Sequence, residues 1–162
     1  MNLYEIVENK LKELNIEFEL VEHEPAVTTE LADKFIEGIE GVRTKTMFLI
    51  NKKKTDWYLL IMDDGKRLDM ERFGEITGTK RIKMASSDSL YEKMMLPPGV
   101  VSPFGLLNNA EKDIKVYIDR EIINKARMSF HPNTNEKTLF IQTPDFLRYL
   151  EDIGCPAQVI EI

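Results

Sequence analysis

Lys45 opens a run of apolar residues, and a cation in such a place could do chemistry. In an extended strand, residues two apart share a face, so Lys45 would lie beside Met47 and Leu49. One interpretation is a strand-end lysine whose stem covers apolar surface while its ammonium stays in water. The other is a positive charge at the mouth of a pocket, placed to bind a phosphate or an ester carbonyl. Residue type and spacing alone leave both open.

The segment 96–105, with the sequence LPPGVVSPFG, is the second candidate. Its prolines stiffen the backbone, and Gly99 allows the chain to approach a ligand closely. The backbone amides of Val100, Val101 and Ser102 could then donate hydrogen bonds to a substrate, with Pro103 completing a G-x-x-x-P pattern. Taken alone, the pattern is also that of a structural turn. It is neither a Walker loop nor a dinucleotide-binding fingerprint, which argues against nucleoside triphosphate and dinucleotide chemistry.

His131 is the third candidate. It precedes Pro132, which biases its backbone towards an extended form, and the polar segment 133–135 offers hydrogen-bonding side chains beside the imidazole. A single histidine in a loop is often structural. The alternative is a histidine that works in a pocket.

Neither a metal site nor a nucleophile stands out. The chain has 2 histidines and 1 cysteine, none closely spaced, so a zinc site is not expected. Asp63 and Asp64 are neighbours in a strand and would point to opposite faces, so we interpret them as turn acids. Ser102 lies next to Pro103 rather than in a G-x-S-x-G elbow, which makes it a poor nucleophile. We therefore expect no metal and no cofactor.

The elements that would position these residues alternate in type. Thr28 or Thr29 can cap a helix with its hydroxyl, and the apolar runs on either side of the turn 52–54 predict an antiparallel hairpin. The predicted helices span about 2–14, 28 or 29 to 38 or 41, 69–75, 87 or 88 to 95, and 144–152; the predicted strands span 17–21, 44–50, 57–62, 80–84, 114–118, 139–142 and 158–162. Because tight turns join most neighbouring strands, we expect an α/β (α+β) fold. It would have a mixed, largely antiparallel sheet or partial barrel surrounded by helices.

Composition bounds the class of protein. No repeat or linker divides the 162 residues, so a single domain over 1–162 is expected. The N-terminus lacks the apolar block of a signal peptide, and one cysteine cannot form a disulfide within the chain. These features predict a cytoplasmic protein with no membrane segment.

Charge is unevenly distributed along the chain. Residues 43–83 contain 11 lysines and arginines against 6 acids, a local charge of +5, whereas the whole chain carries -6. A basic middle could bind nucleic acid phosphates. The lysine triplet 52–54 within it is also typical of a solvated hairpin turn.

Taken in order, these segments resemble the YbaK/ProX family of aminoacyl-tRNA editing domains, specifically the free-standing relatives of the editing insertion in bacterial prolyl-tRNA synthetase. The resemblance rests on HEP at 23–25, RTKTMFL at 43–49, GVVSPFGL at 99–106 and FHPN at 130–133. It spans roughly residues 15–150. The lysine–threonine start of the strand and the G-x-x-x-P loop are its most specific marks.

The resemblance implies hydrolysis of the ester that joins a wrong amino acid to the 3′ adenosine of tRNA, with alanine on proline tRNA as the usual substrate. Lys45 matches the essential family lysine and His131 the pocket histidine. The remaining implied substrate-binding residues are Gly99, Val100, Val101, Ser102, Pro103, Thr28 and Thr46. The implied partners are the 3′ acceptor end of tRNA and, more loosely, prolyl-tRNA synthetase.

Two alternatives stay open. Val100 occupies a position where some family members have a second glycine, which weakens a cysteine-specific reading but leaves the amino acid undecided. The net acidity and the missing acid/base pair would suit a non-catalytic module that binds tRNA or a synthetase.

Overall fold

The computed structural model describes residues 2–162, with residue 29 described by its backbone alone. The helices are α1 (Leu3–Glu13), α2 (Thr29–Phe35), α3 (Met70–Thr77), α4 (Ser87–Met94), α5 (Arg120–Ile123) and α6 (Thr143–Asp152), with a 3₁₀ helix at Pro103–Asn108. The strands are β1 (Phe18–Glu22), β2 (Val42–Ile50), β3 (Trp57–Asp63), β4 (Lys83–Met84), β5 (Ile114–Asp119), β6 (Arg127–Phe130), β7 (Lys137–Gln142) and β8 (Gln158–Ile160).

Side-chain caps explain where the helices begin. Of the two threonines predicted to cap α2, Thr28 does so: its Oγ1 accepts the Leu31 amide at 3.1 Å, while the side chain of Thr29 lies outside the described part. The helix ends at Phe35, earlier than predicted, because the Ile36 amide already turns back to the Asp33 carbonyl. Asp69 caps α3 in the same way, and Gly78 ends that helix in the left-handed region at φ 70°.

The strands form one sheet in the order β1-β7-β6-β2-β3-β5-β8, with β4 added to β2. The predicted hairpin is confirmed, since β2 and β3 pair antiparallel from Thr44 opposite Asp63 to Ile50 opposite Trp57. The predicted mixed sheet with surrounding helices is also confirmed. Four of the seven strand pairings in the described chain are antiparallel, and β2–β6, β3–β5 and β5–β8 are parallel.

Several local predictions need correction. The sequence pattern missed β6, α5 and the 3₁₀ helix, all of them short. The strand predicted at 80–84 shrinks to Lys83–Met84, because Arg81 adopts a left-handed φ of 58° that interrupts an extended chain. The sequence predicted a mixed sheet but not which strands would pair parallel, namely β2–β6, β3–β5 and β5–β8.

The two faces of the β2–β3 hairpin pack into different clusters. Phe48, Leu59 and Ile61 belong to the larger core, whereas Leu49, Leu60 and Met62 belong to a smaller one against which Met47 packs. The two-residue period predicted for Met47 and Leu49 is therefore correct. Among the described residues, no helix combines the length and the apolarity needed to cross a membrane.

Candidate active site

The candidate site lies where strands β2 and β6 separate. These parallel strands pair only at Val42–Met128 and Arg43–Ser129, and the Thr44 hydroxyl then donates to the Ser129 carbonyl at 2.5 Å. Beyond that point the strands diverge, so a cavity opens between two backbones that began side by side. Extending the register by two residues would bring Lys45 level with His131.

The cavity has a volume of about 220 Å³. This is below the roughly 300–1,000 Å³ typical of sites for drug-sized ligands, and it suits a small group. Its walls come from five regions of the chain: the residues that line it are Ala26, Val27, Thr28, Ala32, Asp33, Ile36, Thr44, Lys45, Thr46, Asp64, Gly99, Val100, Val101, Ser129, Phe130, His131, Asn135 and Thr138.

Lys45 is half-buried in the cavity wall. Within residues 2–162, its ammonium has no hydrogen bond and no ion pair, unlike that of Lys66, which binds Asp119 and Glu121 at 2.7 and 2.9 Å. A cation held beside a small cavity without a protein partner is free to bind a ligand oxygen.

His131 is held in one tautomer. Its Nδ1 lies 3.1 Å from the Lys137 carbonyl, which can only accept, so Nδ1 bears the proton and Nε2 of the neutral ring is an acceptor. Burial lowers the pKa of His131 below its ordinary 6.5, although the Lys137 carbonyl and the charge of Asp33 act in the opposite direction. The imidazole is therefore neutral at pH 7. The segment 133–135 does not bond the ring, contrary to the prediction.

The loop after α4 supplies the wall opposite the strands. Gly99, Val100 and Val101 line the cavity, and Gly99 needs its φ of 81° to turn the chain there. The Val100 amide donates to the Pro97 carbonyl at 3.2 Å and is not available to a substrate. The Val101 amide makes no hydrogen bond within the described part of the chain.

Ser102 and Pro103 do not line the cavity. Ser102 is fully buried, and its Oγ accepts the Phe104 amide at 3.1 Å. The Pro103 carbonyl accepts the Tyr149 hydroxyl at 3.1 Å. Both residues support the loop from within the protein. Of the predicted loop residues, only Gly99, Val100 and Val101 line the cavity, and the predicted contacts of Ser102 and Pro103 do not fit this geometry.

Arg43 and His23 fix helix α2 over the cavity. The Arg43 guanidinium donates to the carbonyls of Ile36, Ile39 and Gly41 at 2.6–2.8 Å. The His23 ring stacks on Phe35 with 4.8 Å between centroids, and its Nε2 lies 2.9 Å from the hydroxyl of Thr138 on β7. These contacts hold the wall formed by Ala32, Asp33 and Ile36.

Residues 23–149 match the model of the aminoacyl-tRNA editing domain family. The chain belongs to this family. It is 30% identical over its whole length to the prolyl-tRNA editing protein ProX of Acetoanaerobium sticklandii, of which it covers 99%. It is 30% identical to the prolyl-tRNA synthetase associated domain-containing protein 1 of Danio rerio, over 94% of this chain and 83% of that one.

The fold of this editing domain has a counterpart among solved structures. The crystal structure of a proposed trans-editing enzyme for prolyl-tRNA synthetase superposes with a TM-score of 0.76, over 99% of this chain and 96% of the other, at 18% identity. The family predicted from the sequence is thus confirmed.

Asp33 and Asp64 line the cavity of the editing domain, but neither was predicted from the sequence as a site residue. Asp63 is a turn acid as predicted, since its Oδ1 accepts the Gly65 amide at 2.8 Å. Asp64 is not: it lines the cavity with Asp33 from α2, close enough for a hydrogen bond between the two carboxyl groups. Burial, followed by this hydrogen bond, raises the pKa of Asp64 to about 8. Only the alternation that places Asp63 and Asp64 on opposite faces could have signalled their different roles.

The lysine triplet occupies the exposed turn between β2 and β3, as predicted. Lys45 lies at the opposite end of the same hairpin, so the triplet is remote from the cavity. Among the described residues, no hydrogen-bonded or ionic partner competes with a phosphate for Lys52, Lys53 or Lys54. Contact between this turn and tRNA stays a prediction.

Proposed function

We propose that this protein, acting as a single domain in the cytoplasm, hydrolyses the ester of mischarged proline tRNA and that alanine is the amino acid removed. The observation that supports this most is the cavity in which Lys45, His131 and the loop 99–101 meet. The names of the relatives, a prolyl-tRNA editing protein among them, favour tRNA(Pro) as the substrate and prolyl-tRNA synthetase as a functional partner.

Lys45 and the Val101 amide are suited to the carbonyl of the ester. As water attacks, negative charge develops on the carbonyl oxygen. A positioned cation and an unpartnered amide in a site of low dielectric stabilise such a charge more strongly in the transition state than in the ground state. An aminoacyl ester is already activated, so this stabilisation together with a positioned water accounts for turnover without a covalent intermediate.

His131 is suited to orient that water. With Nδ1 committed to the Lys137 carbonyl, Nε2 accepts a proton from water in the neutral ring. The low pKa of the buried imidazole keeps this lone pair available at neutral pH.

Three of the hydroxyl groups that line the cavity, those of Thr44, Ser129 and Thr138, are poorly placed to act as nucleophiles. Thr44 donates its proton to the Ser129 carbonyl, and Ser129 donates to the Val42 carbonyl at 3.0 Å. The hydroxyl of Thr138 is bonded to His23. Because these side chains already support the backbone around the cavity, attack by water is the simpler route.

In this proposal, the size of the cavity selects alanine over proline. A synthetic site for proline cannot strongly reject a smaller side chain, since one methylene group is worth only about 1–3 kcal/mol. A second site that admits only what is small enough corrects the error. Ala32, Ile36 and Val100 supply apolar walls that would restrict the cavity to a methyl group.

The test is hydrolysis of a panel of charged tRNAs by the purified protein. Alanyl-tRNA(Pro) should lose its amino acid well above the buffer rate, while prolyl-tRNA(Pro) should be stable. Faster loss of cysteine would move the assignment to another small residue. Binding of tRNA without deacylation of any member of the panel would refute the proposed reaction and favour a non-catalytic module.

A further inference from the structure

Two carboxyl groups, those of Asp33 and Asp64, lie in the wall of the cavity. Asp33 projects from α2 and Asp64 follows the end of β3, so two distant elements bring them together. Their carboxyl groups lie close enough for Asp33 to raise the pKa of Asp64, through a hydrogen bond and through its charge. Within residues 2–162, neither carboxyl forms an ion pair.

Among the described residues, neither Arg43 nor Lys45 forms an ion pair with the two carboxyl groups. Arg43 on β2 lowers the pKa of Asp64, but this is the smallest of the effects on that pKa, and its guanidinium hydrogen-bonds three backbone carbonyls and forms no ion pair with Asp64. The Lys45 ammonium also lines the cavity but forms no ion pair with either carboxyl among the described residues. His131 is neutral, and Asp63 adds negative charge.

The pair therefore holds one net negative charge at neutral pH. The pKa of Asp64, raised to about 8, keeps one proton on the pair at neutral pH, and the two carboxyl groups share it. A half-buried anion without a cation is costly unless a ligand supplies one. A ligand with a single, small positive group and several N–H donors would balance this charge and bind both carboxyl groups.

The substrate of the proposed reaction has such a group. An aminoacyl ester has an α-ammonium one carbon away from its carbonyl, and an α-amino group ordinarily has a pKa of about 7.7–8.0. One ammonium would balance the one charge of the pair. A bound ammonium would also fix the direction in which the neighbouring carbonyl points.

We propose that Asp33 and Asp64 together bind the α-ammonium of the aminoacyl ester and so turn its carbonyl towards Lys45 and the Val101 amide. This inference rests on the proposed function. It gives the cavity two poles, an anionic one for the amine and a cationic one for the carbonyl. It also makes the amine, and not only the size of the side chain, a determinant of the substrate.

The pair should respond to mutation in a non-additive way. Asp64→Asn leaves the Asp33 carboxyl group in place, and Asp33→Asn leaves that of Asp64, whose pKa then loses the contribution of Asp33 but keeps that of burial. Each single variant therefore keeps one carboxyl group that can bind the ammonium, and only the double variant has none. Neighbours that act as one unit are expected to show such coupling.

The experiment compares alanyl-tRNA(Pro) with lactyl-tRNA(Pro), in which a hydroxyl replaces the α-ammonium and the methyl group is unchanged. The wild-type protein should prefer the alanyl ester in kcat/KM by about ten- to a hundredfold, the range expected for a charge-assisted hydrogen bond. Each single variant should stay within about fivefold of wild type. Asp33→Asn/Asp64→Asn should lose the preference, mainly through KM, because its hydrolysis of the alanyl ester falls much more than its hydrolysis of the lactyl ester. Asp63→Asn, which alters the adjacent turn acid outside the cavity, is the matched control.

The outcomes separate this inference from the proposed function. Hydrolysis of both esters at equal rates by the wild-type protein refutes amine binding by the pair and leaves the deacylase intact, even if the double variant fails to fold. An equal loss on both esters in a folded double variant refutes it as well, since a merely structural role predicts that result. If the wild-type protein hydrolyses neither ester nor any other charged tRNA, the proposed function fails and this inference fails with it.

Discussion

Replacing Lys45 by methionine should remove catalysis and leave the fold unchanged. Methionine keeps the apolar stem that lies along the Met47 and Leu49 face of β2, and it removes only the ammonium. Because that ammonium has no partner within residues 2–162, its loss leaves no buried acid unpaired. The free energy of unfolding should therefore change by no more than about 0.5 kcal/mol.

The catalytic loss should be large. Removing one positioned donor from the site of a developing oxyanion typically lowers kcat by about 10²–10³, which corresponds to about 2.7–4 kcal/mol. Single-turnover hydrolysis of alanyl-tRNA(Pro) measures this loss, and urea denaturation of the same preparation measures stability. Lys45→Met should fall in the first assay and match wild type in the second.

Lys66→Ala is the opposite case and serves as the control. Its ammonium holds Asp119, whose side chain is only 2% exposed, so its removal leaves a buried carboxylate unpaired. We expect a loss of about 1–3 kcal/mol in stability with turnover retained. If Lys45→Met destabilises the protein as Lys66→Ala does, or hydrolyses the ester at the wild-type rate, the placement of a free cation at the cavity is refuted.

Three further variants test the other walls of the cavity. The kcat/KM of the wild-type protein should fall as the pH drops through a midpoint below 6.5, because burial lowers the pKa of His131 and only the neutral ring accepts a proton. His131→Asn should lose this dependence on pH, and its rate at neutral pH should be about 10²–10⁴-fold lower than that of wild type. Gly99→Ala meets open space but must adopt a φ of 81°, so we expect about 1–2 kcal/mol of strain in a thermal melt and a raised KM. Ile36→Val should raise the ratio of prolyl- to alanyl-tRNA hydrolysis by about tenfold at a stability cost of about 0.5–1.5 kcal/mol, and an unchanged ratio would argue against selection by volume.

Local patterns predicted the elements whose causes are local. The apolar alternation around Lys45 and the turn 52–54 was enough to place the β2–β3 hairpin, and the Thr28 hydroxyl was enough to start α2. The strand β6 was missed because it has only four residues, and one of its two partners, the start of β2, lies far away in the sequence and contributes only two residue pairs. No periodicity within four residues encodes such a contact.

The acid pair was missed for a related reason. The sequence around Asp64 contains a turn signal, and Asp63 fulfils it. The amide of Asp64, however, donates to the Arg43 carbonyl at 2.8 Å, which continues the ladder by one residue and keeps Asp64 beside the start of β2. Its partner Asp33 arrives on a helix that the sequence places but cannot orient. The contact between Asp33 and Asp64 thus depends on the tertiary structure and not on a local sequence pattern.

The separation of β2 and β6 explains how one protein holds both a reactive lysine and a neutral histidine close to each other. If the two parallel strands stayed paired, backbone hydrogen bonds would close the space between Lys45 and His131. If the strands never paired, Lys45 and His131 would not lie at matching positions of neighbouring strands. The Thr44 and Ser129 hydroxyls resolve this by bonding to carbonyls of the opposite strand, so that side chains complete the pairing where backbone hydrogen bonds stop. The cavity begins immediately after these two bonds. The register of the two strands therefore positions Lys45 and His131, which is the kind of rigid placement that the proposed ester hydrolysis by oriented water requires.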